Sequence, residues 1–165
     1  MTTVLAGHTA PAFEMDALNG QHFSLAEALK KGPVVAAFFK ITCPVCQFTF
    51  PFLERLHKAY GDTAQFRGIS QNGDYDTKDF LDEYSVTFPT LVDHEDDNFP
   101  VSNLYGLTNV PTVLLIAPDG KVKVSFTGFD NAGLEKVSAE LAKVLGRKTA
   151  PVFHPGEVVP ANKPG

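Results

Sequence analysis

Val34-Val35-Ala36-Ala37-Phe38-Phe39-Lys40-Ile41-Thr42-Cys43-Pro44-Val45-Cys46 is the stretch that decides the fold. Its first part, residues 34–39, is an unbroken apolar run of β-favouring character, which predicts a buried strand. After the stretch, residues 47–60 carry apolar side chains at the spacing of one helical face. The sequence therefore predicts a strand that leads directly into a helix, with Cys43 at the turn between them.

Cys43 and Cys46 are the only two cysteines in the chain. At the start of a helix, unpaired backbone N–H groups and the helix dipole favour a thiolate. The thiolate is the nucleophile in thiol–disulfide exchange, and a second cysteine one turn later can attack the mixed disulfide and release the product. The CxxC spacing at a strand–helix junction therefore predicts a redox-active pair.

Three other interpretations of the two cysteines stay open. A zinc site needs four ligands, but there is no second cysteine pair and the five histidines are scattered along the chain. A purely structural disulfide would close too short a loop to add much stability. Two inert buried thiols are the third interpretation, since free cysteines are often buried.

The composition is that of an ordinary globular domain of 165 residues, with 44% hydrophobic and 20% charged residues, fourteen Phe and no Trp. A net charge of −5 argues against a nucleic-acid partner. No apolar run approaches the ~18 residues of a membrane span, and the N-terminus lacks the pattern of a signal peptide. We therefore expect a cytoplasmic protein without a membrane partner, unless a signal or anchor segment has been removed.

The rest of the chain alternates between strand and helix patterns. The predicted elements are a hairpin around Asn19-Gly20, a short helix at 25–29, a strand at 65–70, a helix from Asp76 to Tyr84, an extended piece at 88–92, a short helix at 100–105, strands at 113–117 and 121–127, and a helix at 131–145. This order predicts an α/β fold, a central mixed sheet flanked by helices with an N-terminal β-hairpin extension. We expect one domain over residues 1–148 and a proline-rich tail over 149–165 that adds little to the fold.

Over about residues 7–145 the order of motifs resembles the thioredoxin superfamily, in particular its TlpA-like thiol–disulfide reductase branch, which is related to the redoxins and to AhpC/TSA. The resemblance rests on the CxxC turn, on Pro51 inside the following helix, and on three further runs, which are Phe88-Pro89-Thr90-Leu91-Val92-Asp93, Tyr105-Gly106-Leu107-Thr108-Asn109-Val110-Pro111-Thr112 and Ile116-Ala117-Pro118-Asp119-Gly120-Lys121. It implies a thioredoxin-like fold and a dithiol–disulfide oxidoreductase.

The resemblance also implies roles for individual residues. Cys43 would attack and Cys46 would resolve, while Pro111 would be a cis-proline beside the pair and Val110 would pair with an extended substrate. Thr42 and Pro44 would flank the substrate-binding surface. The chain departs from the family at three places, since Thr42 stands where the family has Trp, and Ala37 and Thr49 stand where relatives carry acids. Resolution by Cys46 is therefore expected to be slow.

Two other functions compete with this interpretation. A peroxiredoxin would need Thr at the position of Lys40 and an Arg near Val110-Pro111-Thr112, and the sequence has neither. A Sco-like copper chaperone would bind Cu(I) through thiolates, but that family spaces its cysteines more widely and has His where Pro111 lies. For the oxidoreductase we expect no cofactor and no metal, a protein or small disulfide substrate, an electron-donating reductase system as partner, and a monomer.

Overall fold

The structure is a computed structural model and describes residues 3–165. Its elements follow the chain as β1 Glu14–Asp16, β2 His22–Ser24, α1 Leu25–Leu29, β3 Val34–Phe39, α2 Pro44–Tyr60, β4 Gln65–Ser70, α3 Asp74–Glu83, β5 Thr90–Val92, α4 Pro100–Leu104, β6 Thr112–Ile116, β7 Val122–Thr127, β8 Phe129–Asp130, α5 Asn131–Leu145 and β9 Asn162–Lys163. One 3₁₀ turn at Glu95–Asp97 lies between β5 and α4. The first two residues of the predicted domain 1–148 lie outside the described residues.

Five strands form the central sheet in the order β5-β4-β3-β6-β7. The middle strand β3 pairs in parallel with β4 and antiparallel with β6. On the outside, β5 runs parallel to β4 and β7 antiparallel to β6. The predicted mixed sheet is therefore confirmed, and β3, which leads into the CxxC turn, lies at its centre.

Helices cover both faces of this sheet, so β3 is buried on both sides along its whole length. Because side chains alternate along a strand, Val35, Ala37 and Phe39 pack on one face with α2, α3 and α5. The alternate side chains pack on the other face with the hairpin, α1 and α4. This double burial explains why β3 is apolar at every position.

Most local predictions are confirmed. The strands β1 and β2 pair as the expected antiparallel hairpin, and Gly20 takes a positive φ of 84° in its turn. Ser24 caps α1 by accepting a 3.3 Å hydrogen bond from the Glu27 N–H. The α3 helix differs from its prediction, because it begins at Asp74 behind Gly73 rather than behind Asp76. Acidic side chains stabilise any position of a first turn, so the sequence signal did not fix which residue begins the helix.

The segment beyond α5 packs on the domain, so the expectation that it adds little burial is wrong. Val152 is 3% exposed, and the ring of Phe153 lies 5.2 Å from that of Phe52 on α2. Arg55 donates two hydrogen bonds of 2.8 Å to the carboxylate of Glu157 and one of 2.9 Å to the Val152 carbonyl. The segment docks through single apolar side chains, and such contacts leave no periodic pattern in a sequence.

The Arg55 guanidinium holds the pKa of the Glu157 carboxyl down at about 2. Further along, β9 pairs with β8 and so returns the chain to the domain. The proposed boundary between residues 148 and 149 stays a prediction. Within residues 3–165, no helix is both long enough and apolar enough to span a bilayer.

Candidate functional site

Cys43 is the N-cap residue of α2, with an extended backbone at φ −86° and ψ 110°. Its Sγ accepts a hydrogen bond of 3.1 Å from the backbone N–H of Cys46. Pro44 occupies the first helical position, where a missing N–H costs nothing. The strand–turn–helix sequence thus places a half-buried thiol within hydrogen-bonding distance of a backbone donor at the start of α2.

The loop before β6 supplies the other wall of the site. The peptide bond between Val110 and Pro111 is cis, as predicted. The Cys43 thiol donates a weak hydrogen bond of 3.6 Å to the Val110 carbonyl oxygen. Thr112 fixes the loop by donating a 2.7 Å hydrogen bond from its hydroxyl to the Asn109 carbonyl. The structure therefore brings together two motifs that lie far apart in the sequence.

The predicted substrate-binding residues all lie around this thiol. Thr42 and Pro44 flank Cys43 in sequence and are exposed. Val110 is half-buried, and Pro111 is buried. Cys43 therefore lies between two exposed side chains of the turn and the backbone of residue 110.

Cys46 lies one turn inside α2 and is fully buried. Burial raises the pKa of the Cys46 thiol well above its ordinary range. The hydrogen bond with Cys43 raises this pKa further, whereas the backbone of Lys40 acts in the opposite direction. Both thiols are free in this structure, and Cys43 is the more exposed of the two, as predicted.

The two positions that lack the expected carboxylates, Ala37 and Thr49, are both buried. Ala37 is buried on β3, and the Thr49 hydroxyl donates a 2.7 Å hydrogen bond to the Val45 carbonyl of its own helix. Glu54 is a buried acid on α2, but it lies eight residues beyond Cys46, which is roughly 12 Å along a helix. Its two oxygens accept hydrogen bonds of 2.9 and 2.5 Å from the N–H and hydroxyl of Thr87. The Glu54 carboxylate therefore stabilises the fold through Thr87 and is not positioned to accept a proton from Cys46.

Sequence reasoning missed two residues that hold the CxxC turn. The side-chain oxygen of Asn72 accepts a 2.9 Å hydrogen bond from the Ile41 N–H. The amide of Gln47 donates a 2.9 Å hydrogen bond to the Ile41 carbonyl. A signal was available for Asn72, because it lies two residues after the end of β4 and the carboxyl ends of neighbouring parallel strands meet at one edge of a sheet.

The end of the described chain also reaches this region. The backbone oxygen of Gly165 accepts a 3.4 Å hydrogen bond from the Asn109 amide. The Lys163 ammonium lies 4.9 Å from the centre of the Phe48 ring on α2. Among residues 3–165, no group of three or more His, Cys, Asp or Glu side chains is placed to hold a metal ion.

Comparison with known proteins gives consistent matches. Residues 6–125 match the model of the AhpC/TSA family. The thiol-disulfide oxidoreductase ResA of Geobacillus thermodenitrificans is 31% identical over 133 residues, which are 77% of this chain and 72% of that protein. ResA of Bacillus subtilis is 27% identical over 128 residues, 76% of this chain and 69% of that protein.

Solved structures show the same fold. A putative thiol:disulfide interchange protein DsbE from Chlorobium tepidum superposes with a TM-score of 0.75 at 24% identity, covering 88% of this chain and all of that one (100%). The thioredoxin domain of a thiol-disulfide oxidoreductase from Bacteroides vulgatus gives a TM-score of 0.73 at 22% identity, over 86% of this chain and 98% of that one. The thioredoxin-like fold is therefore confirmed.

Proposed function

The chain belongs to the AhpC/TSA family and is a thiol–disulfide oxidoreductase, and from this we propose that Cys43 is its attacking thiol and Cys46 its resolving thiol. The observation that carries the assignment is the N-cap of α2. There the half-buried Sγ of Cys43 receives the Cys46 N–H at 3.1 Å, while Cys46 itself is fully buried. A substrate sulfur reaches the first thiol and not the second.

The reaction then runs in two exchanges. The Cys43 thiolate attacks one sulfur of a substrate disulfide, forms a mixed disulfide and releases the other substrate sulfur as a thiolate. Cys46 loses its proton, and its thiolate attacks the Cys43 sulfur. The Cys43–Cys46 disulfide forms and the second substrate thiolate leaves, so two electrons pass from the protein to the substrate. A dithiol reductant must restore the starting state.

We propose that the substrate binds to four residues around Cys43, which are Thr42, Pro44, Val110 and Pro111. Thr42 and Pro44 present the exposed surface on the helix side of Cys43. On the other side, the Val110 carbonyl already accepts a hydrogen bond from the Cys43 thiol. When the thiol gives up its proton, that bond is lost, and the backbone of Val110 is free to pair with an extended segment of the substrate.

The roles of the two cysteines are tested by trapping. Reduced protein is treated with limiting iodoacetamide, and we expect Cys43 to be alkylated before Cys46. A Cys46→Ser variant should then accumulate a stable mixed disulfide with a disulfide-bonded protein substrate, while Cys43→Ser should accumulate none. Preferential alkylation of Cys46, or a mixed disulfide in Cys43→Ser, would reverse the assignment.

The alternative of peroxide reduction is less favoured. The peroxiredoxin pattern asks for Thr at position 40 and Arg near the start of β6, where this chain has Lys40 and the run Val110-Pro111-Thr112. Peroxidoxin BcpB from Mycobacterium tuberculosis does superpose, with a TM-score of 0.67 at 21% identity over 87% of this chain and 97% of that one, but this likeness shows the fold alone. The copper chaperone is not favoured either, because the residues that the structure describes include no cluster of three or more His, Cys, Asp or Glu side chains that could hold a metal ion.

The family implies disulfide substrates and redox partners. We propose that the donor is a thioredoxin-type reductase system, that the protein acts as a monomer, and that it works in the reducing cytoplasm. The last proposal rests on the two cysteines, because a CxxC pair suits a compartment where disulfides are transient. Fractionation of the source cells, with gel filtration of the purified chain, tests location and oligomeric state.

A further inference from the structure

We propose that residues 161–165, here called the tip, occupy the path of an extended protein substrate beside Val110, and that such a substrate binds by displacing them. This inference rests on the proposed function, because it concerns access to the same thiol. It assigns the tip a regulatory role: the tip hinders the binding of a polypeptide substrate but not of a small disulfide.

The tip touches the residue on which substrate pairing is proposed. A Cβ added at Gly165 would collide with the Val110 carbonyl oxygen, so the two backbones are in direct contact. The Asn109 amide, one residue before, donates a 3.4 Å hydrogen bond to the Gly165 oxygen. That same Val110 oxygen accepts the hydrogen bond from the Cys43 thiol. The tip therefore lies against the atom that links the loop to the nucleophile.

A second glycine allows this close approach. Gly128 takes a positive φ of 74° and donates a 2.8 Å hydrogen bond from its N–H to the Pro111 carbonyl. A Cβ on Gly128 would collide with the Lys163 carbonyl oxygen and lie 2.9 Å from the Gly165 nitrogen. The tip thus lies against the backbone at two points, Val110 in the loop before β6 and Gly128 after β7, as a bound strand would.

The tip also binds by the means available to any extended peptide. Lys163 and Asn162 form a short antiparallel ladder with Phe129 and Asp130, and the Ala161 carbonyl accepts a 2.9 Å hydrogen bond from the Asn131 N–H. Backbone pairing of this kind carries no side-chain requirement. A substrate segment of different sequence can therefore make the same bonds in its place.

The tip is held far more weakly than the segment before it. Val152 is 3% exposed and Glu157 forms a two-bond pair with Arg55, so this earlier part is fixed to α2. All five residues of the tip are exposed, and their side chains are small, polar or proline. The ammonium of Lys163 contacts the Phe48 ring on α2. The tip can therefore leave the surface while the rest of the segment stays in place.

The two kinds of disulfide substrate separate this proposal from a general effect on Cys43. A small disulfide such as oxidised glutathione needs only contact with the Cys43 sulfur, whereas a longer peptide must also lie along Val110. Two net hydrogen bonds of ordinary strength would keep the tip closed and lower the apparent peptide affinity by about tenfold.

The test compares the wild type with three variants, each reduced beforehand and mixed in single turnover with either substrate. One chain ends at Pro160, a second carries Gly165→Ala, and the control carries Val158→Ala at a side chain that is 98% exposed. The peptide substrate is a disulfide-bonded peptide of about ten residues. In an extended conformation each residue adds ~3.3 Å, so the peptide is long enough to lie along the groove and its flanks. Released thiol is measured against time.

We expect the rate constant for the peptide to rise about tenfold in the chain ending at Pro160 and severalfold in Gly165→Ala. The constant for oxidised glutathione should stay within about twofold, and Val158→Ala should match the wild type. An unchanged or lower constant for the peptide, or an equal rise for both substrates, overturns the inference. If the wild type oxidises neither thiol with either substrate, the proposed function itself fails.

Discussion

Two helices of this protein begin in nearly the same way and do different things. At α2 the Sγ of Cys43 accepts the N–H of the third helical residue, Cys46, at 3.1 Å. At α5 the carboxylate of Asp130 accepts the N–H of Gly133, again the third helical residue, at 3.0 Å. The backbone donor is the same in both, so the device that stabilises an ordinary cap also serves a reactive thiol.

What differs is the chemistry of the cap and its cover. The Asp130 cap pairs with Asn162 of β9, and the neighbouring Asn131 N–H donates a hydrogen bond to the Ala161 carbonyl. The start of α2 is reached from outside between Thr42 and Pro44, which are exposed. A helix start therefore becomes a redox site when its cap is a nucleophile and is left open, and the following experiments vary these two conditions.

Changing the cap atom has the largest expected effect. Cys43→Ser should lower the rate of disulfide reduction by roughly 10³-fold or more, because the nucleophile is lost. Serine is a good N-cap, so the melting temperature should change little. Steady-state reduction of a protein disulfide and a thermal melt provide the two readouts.

Cys43→Ala is the matched control, since it removes both nucleophile and cap. It should be equally inactive but less stable by about 1 kcal/mol, which is a fall of roughly 2–4 °C for a chain of this size. Equal melting temperatures for the Ser and Ala variants would mean that the sulfur does not act as a cap.

The third residue of α2, Cys46, can ionise, whereas the third residue of α5, Gly133, cannot. The rate of disulfide exchange at α2 should therefore depend on pH. Because burial raises the pKa of Cys46, this thiol is protonated at neutral pH and must lose its proton to attack. Resolution of a mixed disulfide on Cys43 should therefore accelerate by about tenfold per pH unit between pH 6 and 8 (roughly the slope of a thiolate fraction far below its pKa).

The measurement is a stopped-flow record of the release of the second substrate thiol at several pH values. A rate that levels off near neutral pH would show that another group takes the proton. Lys40 would then be the residue to replace first, because the positive charge of its ammonium lowers the Cys46 pKa.

Removing the whole segment after α5 should cost stability. A chain that lacks residues 149–165 loses the burial of Val152 and the contact of Phe153 with Phe52. Burial of one such aliphatic side chain contributes about 1.5 kcal/mol or more, so the melting temperature should fall by more than ~4 °C.

The chain ending at Pro160 is the control for this deletion, because it keeps the buried residues and loses only the exposed tip. Its melting temperature should stay within about 2 °C of the wild type, the effect of less than 1 kcal/mol. If both truncations lower the melting temperature equally, the tip and not the buried part carries the stability.

The smallest effect is expected at the second cap. Asp130→Ala should lower stability by about 1 kcal/mol and leave the rate of disulfide reduction unchanged. Asp130→Asn should restore the stability, because asparagine caps a helix as well as aspartate does. A loss as large with Asn as with Ala would assign the contribution to the negative charge rather than to the hydrogen bond with Gly133.

Much of the site follows from patterns that are local in sequence. The apolar run of β3, the CxxC spacing and the helical periodicity after it are each contained in a few consecutive residues, and all three appear as predicted. The strand β4 was predicted with its bounds, Gln65–Ser70, for the same reason. The cis bond before Pro111 followed from the resemblance and not from composition, since proline alone favours trans.

The largest misses depend on contacts between distant segments. The docking of Val152 and Phe153 needs the groove beside Phe52, which exists only after α2 and β8 have met. The hydrogen bond from Ile41 to Asn72 likewise joins two loops that the sheet brings together. A sequence shows no periodic pattern for such contacts. For this reason the expectation that residues 149–165 add little to the fold missed the packing of Val152 and Phe153.

The hydroxyl of Tyr60 gives the segment after α5 an optical signature. It accepts a 2.7 Å hydrogen bond from the Ala150 N–H and donates one of 3.1 Å to the Ser138 carbonyl, so it joins α2, α5 and the start of that segment. The chain has four tyrosines and no tryptophan, and the Tyr60 ring is 1% exposed. The tyrosine bands of the near-ultraviolet circular dichroism therefore record the surroundings of only four rings. Release of Ala150 changes that signal while the helices remain folded.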